Sequence, residues 1–465
     1  MKNKILPFLI PLAMAAPIAQ ASVDLIAMGQ VDAGYQDNSA RTAGALENGS
    51  AGNLLGGMGS GLAYAGGNVF IAVPDRGPNA TAYNSLVDDT VSYITRFHTL
   101  NLALAVNPAY NAATVGSMPY LLTPQLTATT LLSSSLPLTY GTGASLNLGS
   151  GAPALNTSSS YYYTGRSDNF NPALPSTNPS HGRFDPEGVR VSNNGKYVFI
   201  TDEYGPFVYQ FLRSNGKLVK SFTLPSNLAV SNLQAQGNVE ISGNTSGRVA
   251  NKGMEGLAIT PDGTTLVGIM QASLIQDVTK YLRIVTIDIA GGATHEYAYK
   301  LDDGSGVSEI LAINNHAFLV DERDGKGLGD GSTAVVKKLY KIDLAGAAEI
   351  TTSTIGSGTP LVTKTASPFL DIVAKLTAST VGINAKFIPA KLEGIAFGPD
   401  IVIGTTTKHT LFVANDNDFL PVVTANSVAT ANPNKWFVFS FDDGDLPGYV
   451  PQVIAPFPSD LNDRG

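Results

Sequence analysis

Short apolar runs rich in β-branched and aromatic residues alternate along this chain with polar turns. The turns carry pairs such as Asn194-Gly195, Asn215-Gly216 and Asp262-Gly263, which are typical of β-hairpins. We therefore predict an all-β protein, with strands at Val69–Val73, Tyr197–Thr201, Phe207–Leu212, Leu266–Met270, Leu282–Ile289, Ala317–Val320, Lys338–Ile342, His409–Ala414 and Trp436–Phe441.

One phrase recurs among these runs. It consists of an acidic residue, a small residue, an apolar strand, a turn, a second apolar strand and a polar or acidic cluster. Its four copies begin at Glu187-Gly188, Glu255-Gly256, Glu309-Ile310 and Glu393-Gly394, and a weaker copy at Ser60-Gly61 lacks the first carboxylate. Irregularly spaced repetition of a β-hairpin predicts a single β-propeller, for which we expect six or seven blades.

Hairpin geometry predicts where the acidic residues meet. In the second full copy, Glu255 and Gln271 lie at similar distances on either side of the turn at Asp262. Antiparallel pairing brings the start of the first strand beside the end of the second. Because the innermost strands of a propeller line its channel, one mouth should gather the four glutamates with Asp75, Asp202, Asp321 and Asp416.

We predict a single domain that is preceded by an export signal and contains one long insertion. Residues 1–21 have the form of an export signal, with Lys2 and Lys4, an apolar segment and the cleavage-site pattern Ala19-Gln20-Ala21. We expect the exported protein to be periplasmic or extracellular, with no membrane span. The propeller domain should then cover residues 22–465, with a long Ser/Thr/Asn-rich insertion at about 105–180.

Composition and missing motifs narrow the chemistry. The chain has no cysteine, which excludes disulfides, thiolate catalysis and cysteine-based zinc sites. A net charge of −8 with only 14% charged residues argues against nucleic-acid binding. No Gly-x-Ser-x-Gly nucleophile motif is present. The five histidines are scattered, and only His181, near Arg183 and Glu187, is a candidate acid, base or anion contact.

Carboxylates crowded in one cavity repel each other unless a positive charge lies among them. A divalent cation, for which we expect Ca²⁺, accepts carboxylate and amide oxygens in flexible geometry. Alternatively, Arg76 and Arg323 could neutralise the carboxylates, and a single Glu-Gly pair can be turn chemistry alone. The candidate metal ligands are Glu187, Asp202, Glu255, Glu309, Glu393 and Asp416.

Several longer phrases resemble the phytase-like family, which is named for an esterase-like activity of phytase. They are Asp75-Arg76-Gly77-Pro78, Arg183-Phe184-Asp185-Pro186-Glu187-Gly188, Thr201-Asp202-Glu203-Tyr204-Gly205-Pro206, Asn251-Lys252-Gly253-Met254-Glu255-Gly256-Leu257, Met270-Gln271-Ala272-Ser273, Glu322-Arg323-Asp324-Gly325, Lys391-Leu392-Glu393-Gly394 and Asn415-Asp416-Asn417-Asp418-Phe419. The resemblance runs from about residue 55 to the C-terminus. It implies a β-propeller and an exported hydrolase of esters, including phosphate esters.

Two functional hypotheses follow. The first is a metal-assisted hydrolase of a small ester or phosphomonoester, with Glu203 or Glu322 as general base. In this hypothesis Arg76, Arg183, Arg323 and Gln271 bind the substrate. The second is a non-catalytic, calcium-stabilised propeller that binds a ligand, glycan or protein at the same mouth.

Overall fold

The computed structural model describes residues 23–32, 34–78, 90–141, 151–168 and 171–457. The expected export signal at residues 1–21 lies outside these ranges. Five antiparallel sheets dominate the described residues, with strands numbered β1 to β28 along the chain. No helix in this part of the chain is long and apolar enough to cross a membrane.

Each sheet forms one blade, with its innermost strand at the channel and the other strands following outward. Blade 1 consists of β2 (Gly61–Tyr64), β3 (Val69–Val73), β4 (Arg96–Asn101) and β7 (Gln125–Leu131). Blade 2 consists of β10 (Pro186–Val191), β11 (Tyr197–Asp202), β12 (Phe207–Leu212) and β13 (Leu218–Thr223). Blade 3 consists of β14 (Met254–Ile259), β15 (Thr265–Met270), β16 (Tyr281–Asp288) and β17 (Thr294–Lys300).

Blades 4 and 5 have additional short strands. Blade 4 consists of β18 (Gly306–Ala312), β19 (Ala317–Arg323), β20 (Lys337–Asp343), β21 (Thr363–Lys364) and β22 (Leu370–Asp371). Blade 5 consists of β23 (Lys391–Phe397), β25 (Thr406–Asp416), β28 (Asn434–Phe441) and β1 (Asp24–Val31), with β24 (Ile401–Ile403) paired to β25.

The remaining elements lie in the connections. They are the strand pairs β5 (Leu104–Val106) with β6 (Tyr120–Leu122), β8 (Ser133–Ser134) with β9 (Tyr161–Tyr162) and β26 (Val422–Ala425) with β27 (Val428–Ala431), the helices α1 (Gly237–Gly243) and α2 (Ile372–Thr377), and the 3-10 turns Ala40–Thr42, Ser226–Leu228 and Ala385–Phe387.

The inner strands close into a ring in the order β2, β10, β14, β18, β23 and back to β2. The prediction of an all-β propeller is therefore confirmed, but it has five blades, not six or seven. The five copies of the recurring phrase, including the weaker one, supply one inner hairpin each. The extra length forms long connections and the small strand pairs instead of further blades.

The predicted insertion is partly a blade. Strand β7 lies inside the range 105–180 and pairs with β4 as the outer strand of blade 1, with Arg96 opposite Leu131. The rest of the described range contributes β5, β6, β8, β9 and irregular segments. Strand β7 was not among the predicted strands, because an outer strand is half-exposed and its polar residues interrupt the apolar run.

Five apolar layers, one between each pair of neighbouring blades, form most of the hydrophobic core of the described residues. Between blades 5 and 1, for example, Phe70 and Phe412 are fully buried with ring centroids 4.6 Å apart. Full burial of each such side chain is worth about 1.5–3 kcal/mol. These layers hold the ring together without disulfides and fix the inner strands around the axis.

Candidate functional site

The inner strands of blades 2 to 5 share an irregularity close to the channel mouth. Their pairing with the second strand shifts at residues 187–188, 255, 308 and 393–394. Blade 1, whose phrase lacks the carboxylate, pairs without a shift between Gly61 and Tyr64. A β-bulge redirects the side chain at the extra residue. In blades 2, 3 and 5 the redirected residue is a glutamate, and it lines the channel mouth.

The glycine after each of these glutamates meets the neighbouring blade. A Cβ atom on Gly188 would lie 2.6 Å from the backbone nitrogen of Leu257. A Cβ on Gly256 would lie 2.6 Å from the backbone nitrogen of Ile310. The Glu-Gly pair therefore performs two tasks, because the glutamate faces the cavity while the glycine allows adjacent inner strands to approach.

In blade 4 the register of the inner hairpin differs by one residue from the register that the sequence pattern predicts. Ser308 occupies the position that glutamate has in the other blades, and Glu309 occupies the position of the glycine. Glu309 lies beneath the mouth, with Oε2 3.1 Å from Nη2 of Arg190. Its Oε1 accepts hydrogen bonds from the backbone N–H groups of Leu257 and Ile310. Burial raises the pKa of Glu309 to about 7.

Arg190 closes the channel below the cavity. This buried side chain of β10 donates to the carbonyl oxygens of Leu62 (2.8 Å), Ile310 (2.9 Å) and Ile395 (3.4 Å). It thereby joins blade 2 to blades 1, 4 and 5 across the axis. A ligand of the cavity has to enter and leave by the same mouth.

The channel mouth contains a polar cavity of about 220 Å³. Six carboxylates and four basic groups line it, which leaves a formal surplus of negative charge. The lining residues are Asp75, Arg76, Glu187, Glu203, Asn251, Lys252, Glu255, Gln271, Ser305, Gly306, Arg323, Gly325, Lys391, Glu393 and Asp416.

Three carboxylates on one side could together hold a cation. Oxygen atoms of Asp185, Glu187 and Glu203 lie within 4.8 Å of one another. Asp185 also accepts from the backbone and guanidinium nitrogens of Arg76, each at 2.9 Å. Glu203 accepts from the backbone N–H of Gly253 at 2.7 Å, and burial, with Asp185 next to it, raises its pKa to about 7.

Glu187 is the exceptional member of this group. The residue is 7% exposed, and no group in the described ranges donates a hydrogen bond to its carboxylate. Burial and the neighbouring charges of Glu255 and Asp185 raise its pKa well above the usual value. A buried carboxylate without a donor is costly, so this position calls for a cation or a proton.

Glu255 also lines the cavity, and one of its carboxylate oxygens is buried without a hydrogen-bond donor among the described residues. Gln271 donates to its Oε1 at 2.7 Å, while Oε2 of Glu255 and Oε1 of Gln271 have no donor among the described residues. Arg323 lies 3.8 Å from Glu255 and forms a closer ion pair with Glu393. Burial raises the pKa of Glu393 to about 7 despite that pair.

Lys391 holds the acidic residues of blade 5. Its ammonium group lies 2.9 Å from Asp416 and also pairs with Asp418. Burial and the charge of Asp416 raise the pKa of Asp75, on the adjoining side, well above the usual value. Basic side chains therefore balance part, and not all, of the negative charge.

The structure brings together nine of the residues predicted for the mouth: Asp75, Arg76, Glu187, Glu203, Glu255, Gln271, Arg323, Glu393 and Asp416. It places six others outside the cavity lining, namely Glu309, which lies beneath the mouth, Asp321, which accepts a hydrogen bond from the Ser308 hydroxyl, and Asp202, Glu322, His181 and Arg183.

These last four have partners of their own. Asp202 accepts from the backbone N–H of Asp185 and of Tyr204, both at 3.1 Å. Glu322 accepts from Lys364, from the hydroxyl of Tyr299 and from backbone N–H groups. These partners lie in the outer strands of blades 3 and 4 and in the connection between the two blades, so the carboxylate links the blades away from the cavity.

His181 and Arg183 lie in the connection before β10. The Nε2 atom of His181 lies 3.1 Å from the carbonyl oxygen of Pro175, and burial lowers the pKa of this histidine to about 4. Arg183 donates to the carbonyl oxygen of Ser167 and pairs with Glu240 at 3.4 Å. Both side chains brace this connection.

The sequence analysis did not select Asp185, Asn251, Lys252 or Lys391 for the site, although all four lie within the phrases that resemble the phytase-like family. Asp185 and Lys391 each stand two residues before a cavity glutamate. A charged residue at that spacing, just before the bulge, was the available signal. Nothing in the sequence distinguished Asn251 and Lys252 from ordinary turn residues.

Comparisons with known proteins agree with this architecture. The model of the phytase-like family, described as "Esterase-like activity of phytase", matches residues 53–419. An uncharacterized secreted protein of Arthroderma benhamiae is 31% identical over 142 residues, which cover 25% of this chain and 27% of the relative. The chain thus matches about a quarter of that relative's length.

Two solved structures align with most of this chain at low sequence identity. The PQQ-bound aldose sugar dehydrogenase of Streptomyces coelicolor is 10% identical with a TM-score of 0.33, covering 92% of this chain and 100% of that chain. A putative 6-phosphogluconolactonase of Bacteroides uniformis is 11% identical with a TM-score of 0.30, covering 90% and 99%. Similarity at this level says nothing about activity. The family match spans most of the sequence and includes the strands that carry the cavity, and the chain therefore belongs to the phytase-like family.

Proposed function

We propose that this protein is an exported hydrolase of ester or phosphomonoester bonds that works with a divalent cation at the channel mouth. One observation carries the proposal: Glu187 is buried among other carboxylates without a hydrogen-bond donor in the described residues. The family match and the secreted relative support the esterase-like class and the export.

The donor set fits a hard cation. Asp185, Glu187 and Glu203 offer only carboxylate oxygens, and Ca²⁺ prefers oxygen ligands in flexible geometry. One divalent ion would also offset the formal surplus of two negative charges in the lining. Such an ion polarises an ester and lowers the pKa of water.

The residues on the other side of the cavity have complementary roles in this proposal. Glu255 keeps one oxygen free while Gln271 holds the other, so its carboxylate can accept a proton from an attacking water. Arg323 lies against Glu255 and orients an oxygen of the substrate. The blind channel retains water and substrate on one side of Arg190.

The test is hydrolysis of p-nitrophenyl phosphate and p-nitrophenyl acetate by the exported form, with EDTA and then with added Ca²⁺. We expect turnover that EDTA abolishes and Ca²⁺ restores. Glu187→Gln should lose the turnover that Ca²⁺ restores, because Glu187 is a ligand of the cation in this proposal. Glu255→Gln should lose turnover while still binding the cation. Glu349→Gln, at an exposed glutamate that pairs with His295, is the matched control.

The second hypothesis remains the alternative outcome. If neither ester is hydrolysed and Ca²⁺ still raises the melting temperature, the enzyme proposal is wrong and the propeller is a calcium-stabilised binding protein. If Ca²⁺ changes neither turnover nor melting, the cation proposal is wrong as well.

A further inference from the structure

A second, apolar pocket lies next to the channel-mouth cavity, between the connection that precedes β14 and the connection that follows β15. Its volume is about 120 Å³. Five apolar and three polar side chains line it: Val230, Ile241, Val249, Ala250 and Ile275, with Glu240, Asn244 and Arg248. Concave, mostly apolar surfaces with a few polar groups are the usual binding sites of small organic molecules.

Two segments of backbone form a wall that the pocket and the cavity share. At the cavity end, the backbone N–H of Gln271 donates to the carbonyl oxygen of Gly253 at 2.8 Å. At the pocket end, the backbone N–H of Ile275 donates to the carbonyl oxygen of Gly247 at 2.9 Å. The two segments therefore run side by side from the cavity to the pocket.

The pocket begins one residue away from the cavity lining. Ala250 lines the pocket, and the next residue, Asn251, lines the cavity. Arg248 donates from Nε to the carbonyl oxygen of Tyr204 at 3.2 Å, and Tyr204 directly follows Glu203 of the carboxylate group. Because consecutive Cα atoms are about 3.8 Å apart, one small molecule can reach from the carboxylates into the pocket.

The polar side chains of the pocket already have partners in the protein. Glu240 lies 3.4 Å from Nη1 of Arg183 and 3.9 Å from Nη2 of Arg248. Asn244 accepts from the backbone N–H of Ser231 at 2.8 Å and donates to the carbonyl oxygen of Arg248 at 3.0 Å. A charged ligand would have to displace these contacts, so the apolar side chains are the surface that a ligand meets.

The two isoleucines form the exposed part of this surface. Ile241 is 42% exposed and Ile275 is 41% exposed, although both line a concave site. Complete burial of a methylene group raises affinity about fourfold, so about twofold is expected in a pocket that is partly open. A closed apolar cavity of about 150 Å³ holds benzene, and the pocket therefore has the size for a short alkyl chain.

We infer that this pocket is the subsite for the alcohol moiety of the ester, and that it favours a short alkyl chain over a methyl group. This inference rests on the proposed ester hydrolysis and names one part of its substrate. The alcohol moiety is the part that carboxyl esters and phosphomonoesters share, so the assignment is the same whichever bond is cut.

The kinetic test compares methyl with butyl acetate, and methyl with butyl phosphate, by the acid that the Ca²⁺-loaded exported form releases. We expect kcat/KM to be about 10-fold higher for the butyl ester of the same acid, since each of the added methylene groups contributes about twofold. In the double variant Ile241→Gln/Ile275→Gln this ratio should fall to about 2. Ala250→Leu fills the pocket and should lower the ratio in the same way.

Val106→Gln is the matched control, since Val106 is a 72% exposed apolar residue of β5 that lines neither the pocket nor the cavity. It should keep the wild-type ratio. Equal kcat/KM of the wild type for methyl and butyl esters, or an unchanged ratio in the pocket variants, would overturn the inference.

A binding measurement separates this inference from the proposed activity. Butanol is titrated into the Ca²⁺-loaded wild type with isotope-labelled isoleucine methyl groups, which are observed by NMR. We expect the signals of Ile241 and Ile275 to shift, and that of Ile401 in β24 to stay in place. This result supports the subsite even if no ester is hydrolysed. Unshifted signals of Ile241 and Ile275, or an equal shift of Ile401, overturn it even if ester hydrolysis is found.

Discussion

The carboxylate of Glu187 is buried, surrounded by Glu255, Asp185 and Glu203, and has no donor in the described residues. In the cation-free protein it stays protonated or destabilises the fold, because the neighbouring charges and the burial act in the same direction. The same features favour a bound cation.

Replacing Glu187 with Gln should therefore have opposite effects with and without the cation. In EDTA the variant should be more stable than the wild type by about 1 kcal/mol, since a tenfold change in protonation corresponds to about 1.4 kcal/mol. With Ca²⁺ the order should reverse. Denaturant unfolding in both conditions measures this, and a variant less stable in EDTA would contradict it.

For single residues, the sequence predicts which charged side chains lie together at the channel mouth better than it predicts the role of each one. Glu187, Glu255 and Glu393 can be found because antiparallel pairing returns the chain to the same end of each hairpin. Glu309 follows the same pattern, yet Ser308 holds the equivalent position. A β-bulge shifts the register by one residue, and the sequence signal for that shift is Ile310, which stands where the other three full copies have glycine after the glutamate.

The inner hairpin is the element that makes the site possible. Its glycine lets the adjacent blade approach, and its bulge directs the preceding glutamate into the cavity. Most strands could be read from apolar runs, since both faces of an inner blade strand are buried. Strand β7 escaped because it is outer and half-exposed.

Gly256→Ala tests the packing of this element. The added methyl group would meet the backbone of Glu309 and Ile310 at 2.6–2.8 Å, so we expect a loss of about 1–3 kcal/mol. Gly444→Ala, at a position with no heavy atom within 4 Å of the added carbon, should change stability little. Denaturant midpoints compare the two, and an equal effect would argue against the close approach of blades 3 and 4.

At the scale of the whole molecule, the buried carboxylates make stability depend on pH. Burial raises the pKa of Glu203 and Glu393 from 4.5 to about 7. A group with a raised folded-state pKa stabilises the fold fully below its unfolded pKa and loses that contribution as the pH rises through the folded value.

The cation-free protein should therefore lose stability between about pH 4.5 and pH 7. Ca²⁺ should flatten this dependence, because it stabilises the ionised carboxylates. Thermal unfolding across this range, in EDTA and in Ca²⁺, measures both effects. Stability that rises with pH in EDTA would contradict the assignment.

Arg190 links four of the five blades, so we expect its replacement to lower the free energy of unfolding of the whole ring. Arg190→Met should cost about 3–5 kcal/mol, because it leaves the buried charge of Glu309 without its partner. The double variant Arg190→Met/Glu309→Gln removes that charge and should recover a substantial part of the loss. Equal stability of the single and double variants would show that the ion pair is not the cause.

The propeller itself could be predicted from the sequence, because a repeated hairpin has few other ways to bury both faces. The number of blades could not, since chain length does not distinguish a blade from a long connection. The hairpin phrase was the better guide, with five copies for five blades.

Blade 5 has a consequence for how the ring forms. Blades 2 and 3 are built from consecutive strands and can pair as soon as their own segment is present. Blade 5 needs β1 beside β28, with Asp24 opposite Ser440. A contact so distant in sequence forms late, because loop-closure entropy opposes it. Until then β28 has an open edge, and this is where two folding chains would exchange their first strands.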